Sequence, residues 1–309
     1  MSPIRIGVIG AGRVGAVLAA ALREAGHDVV AVSARSAGSR TRAETLLPGV
    51  PIKAPLDVVR AADLVMLTVP DDFLPALVEE LASAAVFGPN HTVIHTSGRH
   101  GITVLAPATR AGAAVAALHP AMTFTGTDLD LERVPGCVFG LTSDERAEAL
   151  GRQLVEDVGG VLTVIPEERR TLYHAALVHG ANHLVTLVSQ ASALLRQAGS
   201  TDPAATLRPL LTAALDNALA YGDAALTGPV VRGDQSTIAA HLDGLVDVPG
   251  PTLDAYLAMA RATVEHAVSD GRLPRDRARN LMELFDAAVW DATAAEMLDA
   301  APAADPGHL

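Results

Sequence analysis

Cysteine is almost missing from this 309-residue chain: Cys137 stands alone, so no internal disulfide can form. That usage fits a reducing compartment, and a cytoplasmic location is expected. Cys137 lies in the apolar run Val134-Pro135-Gly136-Cys137-Val138-Phe139-Gly140 and reads as a buried strand residue rather than a nucleophile. Lysine is as scarce. Lys53, in Pro51-Ile52-Lys53-Ala54, is the only one, so a reaction that needs an ammonium donor elsewhere in the chain has none. Positive charge is in deficit, with 23 Lys and Arg against 35 Asp and Glu and a formal net charge of -12. Neither nucleic acid nor an anionic membrane surface is an expected partner. No uninterrupted apolar stretch reaches the roughly 20 residues of a membrane span. The first strand pattern starts almost at Met1, so no signal peptide is expected. The stretch Ala300 to Leu309 is small and proline-containing and is expected to lack order. With half of its residues hydrophobic, the chain can build a core for two domains.

What is present begins with Ile4-Arg5-Ile6-Gly7-Val8-Ile9, a short apolar strand that runs into Gly10-Ala11-Gly12-Arg13-Val14-Gly15 and an alanine-rich helix. A dinucleotide's pyrophosphate requires that order. Gly10 permits the tight turn, Gly12 lets the backbone approach the phosphates, and Gly15 lets the helix pack against the strand. The helix start offers unpaired N–H groups and partial positive charge. A second strand, Asp28-Val29-Val30-Ala31-Val32, follows at the right distance. NAD sites carry an acidic residue at the end of that strand to hold the ribose hydroxyls. None stands there; the chain reads Ser33-Ala34-Arg35-Ser36, with Arg40 and Arg42 beyond. A guanidinium and small hydroxyls suit a 2′-phosphate, which predicts NADP(H) over NAD(H).

Strands and helices alternate through the first half. Further strands are expected at Leu64–Val69, Thr92–His95, Ala114–Leu118, Cys137–Leu141 and Val161–Val164, with a helix opening at Asp71-Asp72 and another from Asp144 to about Val158. This alternation predicts a doubly wound, mostly parallel α/β sheet of the Rossmann type. From Pro166 the pattern becomes helical only, with helices expected at 166–198, 203–222, 234–244, 251–270 and 275–298. The division is therefore a cofactor-binding domain over 1–165 and an all-helical substrate and dimerisation domain over 166–309. Ligands of open α/β sheets sit beyond the carboxyl ends of the strands. That rule draws Gly10–Gly15, Val69-Pro70, Ser97-Gly98 and His119 to one rim.

Histidines are the candidate proton donors. His119 closes a strand at the rim, and on a regular helix His174 shares a face with positions 178 and 182. Imidazoles titrate near neutrality and can protonate a developing alkoxide or amine. His179 and His183 have metal-ligand spacing, but the zinc-protease pattern needs Glu where Gly180 stands, and no metal is expected. In Leu226-Thr227-Gly228-Pro229-Val230-Val231-Arg232-Gly233-Asp234, Arg232 on a glycine-flanked loop is a candidate carboxylate clamp, and Asp234 or Ser236 can cap the helix that leads to His241. Ser97 and Gly98 offer donors for the other end of a small acid.

A Rossmann domain followed by a long helix and an all-α domain resembles the superfamily of 6-phosphogluconate, 3-hydroxyisobutyrate, pyrroline-5-carboxylate and ketopantoate reducing enzymes. Several of these carry a lysine acid and an asparagine one turn apart on the long helix. Asn182 matches the asparagine and implies a residue that orients substrate or cofactor amide. Val178 stands where the lysine would be, so the mechanism does not carry over unchanged, and His119 or His174 is expected to serve. More narrowly, the motifs Gly10–Gly15, Val69-Pro70-Asp71, His95-Thr96-Ser97-Gly98, Leu118-His119-Pro120, Tyr173-His174-Ala175-Ala176 and Leu226 through His241-Leu242 resemble a family that joins a Rossmann-like domain to a C-terminal domain long labelled as of unknown function. Some of its members look like a ketopantoate reductase distinct from the lysine-using type. The resemblance implies NADPH-dependent reduction of a small 2-oxo acid, 2-dehydropantoate to pantoate, by a homodimer. Another keto acid, a cyclic imine, or a cofactor-binding regulator without turnover remain the other readings.

Overall fold

The computed structural model of the chain describes residues 3–248 and 250–299. The tail Ala300–Leu309 lies outside them. β1 (Arg5–Ile9), β2 (Asp28–Ser33), β3 (Leu64–Leu67), β4 (Thr92–His95), β5 (Ala114–Pro120), β6 (Val138–Ser143) and β7 (Val161–Val164) form one sheet in the order β2-β1-β3-β4-β5-β6-β7. Neighbours pair in parallel except β5 with β6, which pair antiparallel. Helices α1 (Arg13–Glu24), α2 (Ala37–Leu46), α3 (Pro55–Ala61), α4 (Leu74–Ser83), α5 (Ala106–Arg110) and α6 (Glu145–Asp157) connect the strands. Alternate residues feed two cores, one on each face. Ile6, Val8, Met66 and Ile94 join one cluster, and Ile9, Val65, Leu67 and Val93 join the other. Burial on both faces explains why these strands are nearly continuous apolar runs. Each fully buried aliphatic contributes about 1.5–3 kcal/mol, so a one-residue slip of register is strongly disfavoured.

The strand order reverses direction between β1 and β3, the place where open α/β sheets leave a crevice. α1 must lie close to β1 there. A β-carbon at Gly15 would fall 2.3 Å from the Gly10 carbonyl oxygen and 2.2 Å from Thr68 Oγ1, so only glycine permits the approach. The helix expected from Asp71 starts instead at Leu74. Pro75 fits only a helix's first turn, and residues 70–73 form a tight turn closed by Phe73 N–H on the Pro70 carbonyl at 2.9 Å.

The helix expected over 166–198 is broken into parts. A 3₁₀ turn at Glu167–Arg169 leads into α7 (Arg170–Leu177), a π-helical turn at Val178–Asn182 and α8 (His183–Gln197). The π turn is closed by His183 N–H on the Val178 carbonyl. It adds one residue to the turn, so the face shared by 174, 178 and 182 on a regular helix is not continuous here. The chain divides into two compact units between Leu184 and Val185. The pattern turns helical earlier, at Pro166, but α7 belongs with the sheet, to which it is fastened: Arg170 donates to the carbonyls of Gly140 at 3.0 Å and Ser97 at 2.5 Å.

The second unit holds the rest of α8 with α9 (Pro203–Tyr221), α10 (Pro229–Arg232), α11 (Gln235–Leu245), α12 (Thr252–Ser269) and α13 (Arg275–Asp299). Its core gathers Ile238, Leu242, Leu257, Val264, Leu281 and Phe285. Among the described residues there is no strand after β7, and no helix is long and apolar enough to cross a membrane.

Candidate active site

The glycine turn borders a cleft of about 650 Å³ at the carboxyl ends of β1, β2 and β3. Gly10 has φ +109°, a conformation costly for other residues. Its N–H and that of Ala11 both donate to the Ser33 carbonyl, at 3.1 and 2.8 Å, tying the turn to the end of β2. At Gly12 a β-carbon would meet no atom nearer than 3.9 Å, so this glycine keeps space open rather than relieving a clash. α1 starts there with no side-chain cap and no acidic residue in its first turn, leaving its positive end free for an anion.

Ser33, Arg35, Ser36, Val69 and Pro70 line the cleft. Ser36 also caps α2, its hydroxyl accepting from Ser39 N–H at 3.1 Å. Arg40 is exposed on α2 and is not part of the lining. Its neighbour Arg42 instead meets Arg13 over the loop after β5, where a β-carbon at Gly126 would lie 2.8 Å from Arg42 Nε and 2.9 Å from Arg13 Cγ. Asp130 is fully buried and accepts from the Thr125 and Gly126 N–H groups at 2.7 Å each, which fixes that loop.

Further along the same rim, two imidazoles converge on Gly98. A β-carbon there would lie 3.0 Å from His119 Nε2 and 2.5 Å from His174 Cδ2, and the two rings stand 6.0 Å apart, edge to face. His119 Nδ1 lies 3.1 Å from the Tyr173 hydroxyl. Burial, then the nearby charge of Arg170, lowers the His119 pKa to about 4, so the ring is neutral at physiological pH. His95 behaves as a structural post. It is fully buried, donates from Nε2 to the Gly101 carbonyl at 2.9 Å and accepts from Ser97 N–H at Nδ1 (3.2 Å), with burial taking its pKa to about 4. Ser97 Oγ accepts from His100 N–H at 3.1 Å and so shapes the loop.

Arg170 organises this rim, and sequence reasoning did not single it out. Its side chain is almost fully buried, and its three donors go to backbone carbonyls of Ser97, His100 and Gly140. It also lies over the Tyr173 ring, 5.6 Å from the centroid. Glu167 fixes the adjoining loop by accepting from Ile102 N–H at 2.7 Å and from Thr103 N–H and Oγ1 at 3.0 and 2.6 Å. Burial works against its charge, but these hydrogen bonds hold its carboxyl below the usual range. The sequence signal was faint: an Arg169-Arg170 pair in a first turn reads as solvated charge. Tyr173 was part of a motif, yet its contact with His119 spans 54 residues of chain.

Asn182 ends the π turn and is exposed, as are His179 and His183, whose Nδ1 atoms are 3.0 Å apart. No group of three or more metal-binding side chains occurs among the described residues. In the second unit, Asp234 caps α11, accepting from Thr237 Oγ1 at 2.8 Å and Thr237 N–H at 3.3 Å. It lies 4.0 Å from the exposed Arg232 guanidinium. His241 bonds the Tyr256 hydroxyl at 2.9 Å and borders a mostly apolar hollow of about 400 Å³ between α8, α11 and α12. Cys137 is buried just before β6, and burial raises its thiol pKa to about 11, leaving it unreactive.

Residues 1–120 match the family model of a Rossmann-like domain, and residues 137–263 match that of a domain of unknown function (DUF2520). The chain thus joins a Rossmann-like domain to a DUF2520 domain. No curated protein matches it. Among solved structures, a candidate NADP oxidoreductase from Bacteroides fragilis is 21% identical with a TM-score of 0.70, over 84% of this chain and 98% of that one. A protein from Thermotoga maritima is 24% identical with a TM-score of 0.63, over 86% and 99%. A Plasmodium falciparum pyrroline carboxylate reductase with NADP bound is 14% identical with a TM-score of 0.55, over 95% and 98%. At these identities the likeness is one of fold.

Proposed function

We propose that this chain is an NADPH-dependent reductase of a small 2-oxo acid, with 2-dehydropantoate the first substrate to test. The observation that carries the reading is the meeting, on one rim of one unit, of an open glycine cradle and two imidazoles beside Gly98. The residues fit a dinucleotide. Gly12 leaves room for a pyrophosphate at an uncapped helix start, and Arg35 stands in the cleft where an NAD site would carry an acid. Gly10, Ala11, Gly12 and the first turn of α1 would hold the phosphates, and Ser33, Arg35 and Ser36 the ribose with its 2′-phosphate. Bound NADPH supplies a hydride.

The chain's own residues do the rest. His119, neutral at physiological pH, is suited to donate a hydrogen bond to the substrate oxygen. His174, beside the same glycine, is suited to give that oxygen its proton. Asn182, in the same unit, would orient a bound amide. A homodimer through the helical unit accounts for α9, where Leu210, Leu215, Leu219 and Tyr221 are all at least half exposed and only Pro203 and Leu207 are buried.

An NADPH-oxidation screen over 2-oxo acids and cyclic imines tests the reading. Turnover of a 2-oxo acid is expected. Turnover of imines alone would move the assignment toward the imine-reducing enzymes that share this fold, and NADPH binding without turnover of any would favour a regulatory role.

A further inference from the structure

Tyr173 and His119 are packed together by the absence of two side chains. A β-carbon at Gly140, the residue opposite His119 across β5 and β6, would lie 2.8 Å from the Tyr173 hydroxyl. Gly140 therefore makes room for the phenol, as Gly98 does for the far edge of the imidazole. The rings meet edge to face with centroids 5.6 Å apart, and the hydroxyl reaches Nδ1 at 3.1 Å. Arg170 holds the frame. It binds the carbonyl of Gly140 on one side and those of Ser97 and His100, which flank Gly98, on the other.

Hydrogen-bond satisfaction then decides where the imidazole carries its proton. The phenol hydrogen needs an acceptor, and among the described residues Nδ1 of His119 is the one within reach. A proton on Nδ1 would turn that acceptor into a second donor and strand the phenol hydrogen in a half-buried site. A proton on both nitrogens would also face the Arg170 guanidinium, which lies over the same phenol. Asp71 is the opposing negative charge, and His174 and His95 are the other titratable groups acting on the ring.

We infer that Tyr173 is a positioning residue: by donating to Nδ1 it fixes His119 as the Nε2–H tautomer and presents that N–H to the space beside Gly98. The inference rests on the reductase reading for its purpose, since an N–H fixed there can polarise a carbonyl without titrating in the working pH range. The tautomer itself can be read without turnover.

The test is nitrogen-15 NMR of histidine-labelled protein at neutral pH, with His119 identified from the spectrum of His119→Gln. The wild type should show His119 protonated at Nε2 and bare at Nδ1, and Tyr173→Phe should show a mixture of tautomers with the thermal transition lowered by only about 1–6 °C, the cost of one hydrogen bond. In steady-state assays Tyr173→Phe should lower kcat by roughly 2- to 10-fold, the rate equivalent of one orienting hydrogen bond, while NADPH affinity stays the same. A wild-type proton on Nδ1, or a tautomer that Tyr173→Phe leaves untouched, overturns the inference even if the protein reduces 2-oxo acids. A fixed Nε2–H tautomer in a protein that reduces no carbonyl supports the lock and removes the reductase reading alone.

Discussion

Alanine at Gly12 and alanine at Gly15 should fail in opposite ways, although the two glycines sit one helical turn apart. At Gly15 the new methyl would lie 2.3 Å from the Gly10 carbonyl oxygen and 2.2 Å from Thr68 Oγ1, where ordinary contact begins near 3.4 Å. The oxygen belongs to backbone and the hydroxyl is held by it, since Thr68 Oγ1 donates to the Gly10 carbonyl at 2.7 Å. Neither can swing away, so α1 must move off β1. Forcing a methyl into such packing costs about 1–3 kcal/mol. A unit of this size shifts by about 2–4 °C per kcal/mol, so Gly15→Ala should lower Tm by roughly 2–12 °C. At Gly12 the methyl would meet nothing within 3.9 Å, and the residue's φ of -75° suits alanine. Gly12→Ala should therefore keep Tm within about 2 °C, as for substitutions that disturb no packing. It should nonetheless weaken NADPH binding by ten-fold or more, an energetic loss of about 1.4 kcal/mol, because the methyl fills the space a pyrophosphate would use. Scanning calorimetry and nicotinamide fluorescence titration read the two effects separately. A Gly12→Ala protein that binds NADPH like wild type would refute the cradle, and an unshifted Tm in Gly15→Ala would refute the packing argument.

Replacing both His119 and His174 by glutamine should lower turnover by about 10²–10⁴, the range for general acid–base groups, at unchanged NADPH affinity; full activity removes both from the chemistry. Arg35→Ala should weaken NADPH by roughly 10-fold or more through loss of a charge-assisted hydrogen bond while leaving NADH binding as it was, and parallel titrations would show equal losses if Arg35 does not meet the 2′-phosphate. Arg170→Met takes the donors from three carbonyls and should cost about 1–3 kcal/mol or more in urea unfolding, the penalty for buried acceptors left unsatisfied; a loss under 1 kcal/mol contradicts the role given to it. His95 and His119 both have folded pKa values near 4, below the 6.5 of the unfolded chain. The unfolded state therefore binds more protons between those values, so stability is full above pH 6.5, falls as pH drops toward 4 and then levels off. The loss is of the order of 3 kcal/mol per imidazole, and equal urea midpoints at pH 7 and pH 4.5 would show that the two rings are not buried neutral.

Strand and helix positions were legible because burial on both faces of a parallel sheet leaves an unmistakable apolar run, as at Leu64–Leu67, and because Gly10–Gly15 can be explained only by a strand, a turn and a helix. The antiparallel entry of β6 was not legible. Its residues are as apolar as the parallel strands, and direction is set by how the loop after His119 returns, not by composition. The π turn at Val178–Asn182 was hidden for a similar reason: an extra residue in a helix leaves no mark in the pattern of side chains. Arg170 was missed because a buried arginine satisfied by carbonyls has no carboxylate partner in sequence to announce it. The histidines were readable as candidates from strand end and helix start, but only the fold brings His119, His174 and Tyr173 to one glycine. The helical pattern after Pro166 was clear, whereas the division of the chain at Leu184 depends on which helix Arg170 fastens to the sheet.

A crystal structure with NADP⁺ tests the central claim most directly. The account predicts pyrophosphate density against Gly12, a 2′-phosphate at Arg35, and a nicotinamide ring facing Gly98 with His119 Nε2 and His174 beside it. A nucleotide bound elsewhere, or a nicotinamide turned away from both imidazoles, would contradict it.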